Sequence, residues 1–161
     1  MTETVQEANQ ENAQPIFSIE KLYIKDLSLE IPHAPQIFLE RENPQIDVQL
    51  NTQTAPIEAD AYEVAITATV TAKISEKVIF LIEVKQAGIF RLSNLPSEDM
   101  ESVLAVVCPN ILFPYLREVV SNTAVRAGFA PVMLSPVNFD VLYQQHKHEQ
   151  AQAQAAATTT H

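Results

Sequence analysis

Between residues 61 and 74 the chain alternates without a break. Tyr62, Val64, Ile66, Ala68, Val70, Ala72 and Ile74 take one parity, and Glu63, Ala65, Thr67, Thr69, Thr71 and Lys73 take the other. Successive side chains of a strand point to opposite faces, so this period of two demands an extended strand with one apolar and one wetted face. Threonine, being β-branched, suits the wetted face. A tight turn near Ser75–Lys77 leads into a second strand, VIFLIEVKQA at 78–87, which is apolar on both faces at Ile79 to Ile82.

Two earlier stretches extend the sheet. Residues 16–31 alternate through Phe17 and Ile19 and again through Tyr23, Leu27, Leu29 and Ile31, with a break at Lys21, Leu22 and Ile24 that predicts a bulge or a bend. Pro32, Pro35 and Pro44 bracket a loop containing Ile37 and Phe38, and Ile46, Val48 and Leu50 then form a short strand over 46–51. Four strands on short links read as an antiparallel meander. After Pro96 the pattern turns helical. Ser97 is a candidate N-cap, with Glu98 and Asp99 at the positive end of the helix dipole. Pro109 and Pro114 are expected to interrupt that helix, a second spans about 111–127 and stops at Gly128, and a third runs from an Asn138 cap to about 149. Strands followed by helices predict an α+β domain, a four-stranded antiparallel sheet packed by C-terminal helices, over residues 15–150. Residues 1–14 and 151–161 read as disordered tails. Two or three helices cover only one face of such a sheet, and its edges stay unpaired, so a homo-oligomer is expected.

Composition narrows the function. The chain has 2 glycines where average usage of about 7% gives about 11, so no phosphate-cradling loop is present. Ten basic against 20 acidic residues leave a net charge of −10, which opposes binding to nucleic acid or to anionic membranes. The single cysteine, Cys108, permits no internal disulfide and no multi-cysteine zinc site. The polar, acidic N-terminus lacks the basic and apolar regions of a secretory signal, and no run approaches 18 apolar residues, so no membrane span is expected and the cytoplasm is the simplest location. Cys108 has no activating neighbour, His146 and His148 lack further metal ligands, and Asp47, Glu58, Asp60 and Glu63 form no facing acid–base pair, so no cofactor or catalytic site is expected.

The segments YIKDLSLEIPHAPQIF at 23–38, IFLIEVKQAGIF at 79–90, CPNILFPYLRE at 108–118 and LSPVNFDVLY at 134–143 together resemble the SecB protein-export chaperones. The resemblance spans about residues 16–145. It implies an ATP-independent cytoplasmic holdase, a tetramer built as a dimer of dimers, which binds unfolded precursor proteins and passes them to the SecA translocation ATPase. It implies a client groove from Phe38, Ile46, Val48, Leu50, Phe90, Tyr115, Leu142 and Tyr143, a SecA-docking face from Asp26, Glu30, Leu81 and Glu83, and subunit contacts through Ile82, Val84 and Gln86. Many relatives carry a tryptophan before the loop proline, where this chain has Glu42-Asn43-Pro44 and no tryptophan anywhere. The alternatives are a relative dedicated to another client, such as an antitoxin, and a sheet adaptor that binds one folded partner through its acidic face.

Overall fold

The computed structural model describes residues 13–159. The expected tail at 1–14 therefore lies almost wholly outside the described residues. Strands β1 (Ile16–Glu30), β2 (Gln45–Glu58), β3 (Ala61–Ile74) and β4 (Lys77–Ser93) form one sheet. A helical run follows as α1 (Ser97–Ser102), a π-helical stretch (Val103–Val107) and α2 (Cys108–Arg126), and α3 (Phe139–Thr158) ends the chain. Both β2 and β4 outrun their predicted ends. β2 reaches the turn before β3, and β4 carries Arg91, whose guanidinium holds that corner by donating to Glu20 at 2.5 Å and Glu58 at 3.0 Å. The predicted bulge in β1 is a pair of register shifts, one on each side of Lys21–Ile24.

The strands do not form a simple four-stranded meander. Their order is β1-β4-β3-β2, all antiparallel, so β1 pairs with β4 and the two edges are β1 and β2. The connection at 31–44 is the reason. It is too long for a hairpin, carries three prolines, and sends a buried Ile37 into the core while it crosses to the far edge. The result is a Greek-key order.

Prolines do not split the first helical region either; residues 97–126 are one continuous helix. At the π-helical stretch the N–H of Cys108 bonds to the carbonyl of Val103, five residues back. This widened turn admits the Pro109 ring, which an α-turn would press against the carbonyl four residues before it. Pro114 sits inside α2, whose buried stripe (Pro109, Leu112, Phe113, Leu116, Val120, Ala124) lies on β3 and β4 and outweighs one lost backbone hydrogen bond. By length and composition this run could cross a membrane, at mean hydropathy 1.6, but here its apolar side is laid on the sheet as the core helix. Ser97 is the first helical residue, not the cap, and makes no capping bond. At the other end Gly128 adopts φ +93°, and the N–H groups of Gly128 and Phe129 bond to Val125 and Ala124, closing a Schellman motif.

Helix α3 starts where expected, with the Asn138 side chain accepting from the Val141 N–H at 3.1 Å. It then continues to Thr158 instead of ending near 149. Residues 151–158 are helix, because alanine and glutamine are good helix formers and Gln150 and Gln152 bond to His146 and His148 one turn back.

Gly128 gives a test of this arrangement. A Cβ there would meet the Phe38 ring at 3.0 Å in a backbone conformation that disfavours side chains. Gly128→Ala is expected to lower unfolding free energy by about 1–2 kcal/mol, and Gly128→Asn by less, in urea titrations at fixed protein concentration. Equal stability of Gly128→Ala and the parent chain would contradict the cap.

Candidate functional site

The helices cover the central strands and leave an apolar trough beside β2. Ile46, Val48 and Leu50 share the helix-side face of β2, directly opposite Ala72, Val70 and Ala68 of β3. Ile46 and Val48 remain exposed there. Alongside runs a stretch without regular structure, residues 129–137. The Gly128 cap stops α2 before it, Pro131 and Pro136 bar a helix within it, and Asn138 starts α3 after it. Between this wall and the β2 floor lies a cavity of about 630 Å³, lined by Pro44, Ile46, Val48, Leu50, Phe80 and residues 129–137. No ionisable side chain lines it. At one end the ring of Phe129 lies between Phe38, 5.2 Å away, and Phe80, 4.9 Å away. The backbone of β2, an edge strand, is open along the floor.

Of the predicted groove residues, the structure brings Ile46, Val48 and Leu50 to this trough, while Phe38 does not line it but stacks on Phe129, which does. Phe90 is fully buried and stacks on Phe17 at 6.0 Å. Tyr143 is buried, and Tyr115 and Leu142, though half exposed, do not line the cavity. The wall at 129–137 was missed. An apolar run bracketed by Pro131 and Pro136 was its signal, being too apolar for a free loop and unable to be a helix.

The opposite face of the sheet carries the charge. Across the β1–β4 pair Asp26 stands opposite Lys85, Ser28 opposite Glu83, and Glu30 opposite Leu81. Asp26, Glu30, Leu81 and Glu83 are thus brought together on the face without helices, beside a row of Thr67, Thr69 and Thr71 on β3. Lys85 joins them unpredicted. Further along this face Tyr23 donates a hydrogen bond to Glu63, and Lys25 lies 2.6 Å from the same carboxylate. The hydrogen bonds from Lys25 and Tyr23 hold the Glu63 carboxyl below its ordinary value, and burial, with the bond to Glu63, pushes the Tyr23 hydroxyl up to about 12.

Ile82, Val84 and Gln86, expected at a subunit contact, are 0%, 0% and 3% exposed within the chain itself. They face Val70, Ala68 and Ile66 under α2, so their side chains could meet a second subunit only if this core opened. Burial pushes the Cys108 thiol up to about 12, and an inert thiol follows. Among the described residues no three His, Cys, Asp or Glu side chains gather as a metal site.

A family model described as preprotein translocase subunit SecB matches residues 10–150. The protein-export protein SecB of Methylobacillus flagellatus is 56% identical over 153 residues, covering 95% of this chain and 98% of that one. That of Nitrosomonas eutropha is 61% identical, covering 86% and 88%, and that of Neisseria gonorrhoeae 56%, covering 88% and 97%. Among solved structures, a SecB-like chaperone of Mycobacterium tuberculosis in complex with an antitoxin peptide superposes with a TM-score of 0.63 at 16% identity, covering 76% of this chain and 91% of that one, and so shares the fold.

The Glu63 cluster predicts a pH dependence. A carboxyl lowered in the folded state stabilises above its unfolded value, ordinarily 4.5, and loses that contribution as pH falls through the folded value. Glu63→Gln is therefore expected to be less stable than the parent at pH 7 by about 1 kcal/mol, a figure reduced for solvent screening. The gap should close as the pH is lowered below 4.5. A gap independent of pH in chemical denaturation would assign the loss to packing.

Proposed function

The chain belongs to the SecB family of protein-export chaperones, and from that premise we propose that it holds unfolded precursor chains in the β2 trough and delivers them to the SecA ATPase through its charged sheet face, without catalysis, as a cytoplasmic homotetramer. The observation that carries this reading is an apolar, charge-free trough laid beside an unpaired strand edge. An extended client presents its side chains alternately. One set can enter the trough while the client backbone pairs with β2, so many sequences fit. Ile46, Val48 and the aromatic end at Phe129 supply the contact, and the irregular wall at 129–137 adapts to it.

The docking reading rests on the grouping of Asp26, Glu30 and Glu83 around half-buried Leu81. Carboxylates steer a basic partner, and the leucine supplies an apolar anchor. Self-association has its own candidate surface on the helix side of β1. There Ile24, Leu27 and Leu29 stay exposed along a free edge and line a second trough with Val119, Asn122 and Arg126 of α2. This surface replaces Ile82, Val84 and Gln86 as the subunit contact supported by exposure. The solved SecB-like chaperone of this fold is in complex with an antitoxin peptide, which supports a client of another class, but export relatives at 54–61% identity favour precursors.

The test is a paired binding measurement with a chemically unfolded secretory precursor and with SecA. Val48→Asp places a charge in the trough and is expected to weaken precursor binding at least about tenfold while sparing SecA. The triple change Asp26→Ala/Glu30→Ala/Glu83→Ala is expected to do the reverse. A parent chain that fails to hold the precursor sinks the holdase reading and leaves an adaptor acting through the charged face.

A further inference from the structure

Met133 lies on the wall of the trough, and its exposure of 68% exceeds the 42% of Ile46 and the 40% of Val48 on the floor. It also lines a neighbouring small polar pocket with Arg117, Glu118, Ser121 and Asn122. The Ser121 hydroxyl already donates towards its sulfur at 3.6 Å. The thioether thus stands on a boundary, apolar on one side and rich in hydrogen-bond donors on the other. Met100, by contrast, is half-buried, and its sulfur accepts a hydrogen bond from the Tyr62 hydroxyl at 3.3 Å.

We propose that Met133 is a reversible oxidation site that weakens client binding under peroxide. This rests on the trough being the client site. A sulfur lone pair attacks hydrogen peroxide and forms an S–O bond as the O–O bond breaks. Sulfur loses two electrons, peroxide is reduced to water, and a thiol-dependent reductase reverses the step. The new oxygen is a strong acceptor. Ser121, and the Arg117 and Asn122 groups of the polar pocket, are the donors at hand. The side chain is thereby drawn towards the polar pocket, and the trough loses an adaptable apolar wall residue and gains a hydrated dipole at its mouth.

The experiment treats the full chain with hydrogen peroxide and follows two readouts, peptide mass spectrometry and binding of a chemically unfolded precursor. Met133 is expected to oxidise well ahead of Met100, and precursor affinity to fall about tenfold. Met133→Leu is read against its own untreated state, and its precursor affinity should be the same before and after peroxide, although Met1 and Met100 remain. A thiol-dependent reductase should restore binding to the oxidised parent. Oxidation of Met100 at the same rate as Met133, or full precursor binding with Met133 oxidised, overturns the inference alone. An untreated parent that holds no precursor overturns the trough reading, and this inference falls with it.

Discussion

One packing contact governs the molecule, the seating of the α2 stripe on the two central strands. Leu112, Leu116 and Val120 are fully buried there, each contributing about 1.5–3 kcal/mol by burial. A helix with its side chains is about 10–12 Å across and strands lie about 4.8 Å apart, so one helix covers about two strands. A four-stranded sheet under such a helix must leave the apolar faces of its outer strands bare. That mismatch creates the trough on β2 and the exposed Ile24, Leu27 and Leu29 on β1. The trough on β2 and the bare apolar face of β1 are therefore two results of one geometric fact.

The period of two keeps the third surface apart from these. In β4, Phe80, Ile82 and Val84 point under the helices while Leu81, Glu83 and Lys85 point away. The open face and the trough are separated by the thickness of the sheet, so the two proposed sites leave each other free. The Arg91 contacts at one corner and the Tyr23–Glu63–Lys25 cluster on the open face tie the strands together without occupying either trough.

The irregular segments were the hardest to read from sequence. Pro109 and Pro114 suggested a broken helix, because intrinsic propensity is a local rule. The π-helical stretch and the burial of the α2 stripe overrode it through contacts between distant residues. Residues 129–137 gave no periodicity to follow, being neither helix nor strand, and acquire their role only from lying against β2. Phe90 had the size and chemistry of a groove residue. Its burial depends on Phe17, a residue far away in the chain that β1–β4 pairing brings alongside.

What the sequence determined by itself was what short-range physics controls: the strand faces through their parity, the turn before β4, the Gly128 stop, the Asn138 cap, and the grouping of Asp26 with Glu30 and of Leu81 with Glu83. These follow from side-chain direction, backbone conformation and the needs of helix ends, all set within a few residues. Only the tertiary structure decided that β1 crosses to pair with β4, that Ile82, Val84 and Gln86 belong to the chain's own core, and that the trough is walled by 129–137. Those outcomes depend on which long-range pairing buries the most apolar surface, a quantity spread over the whole chain and absent from any single segment.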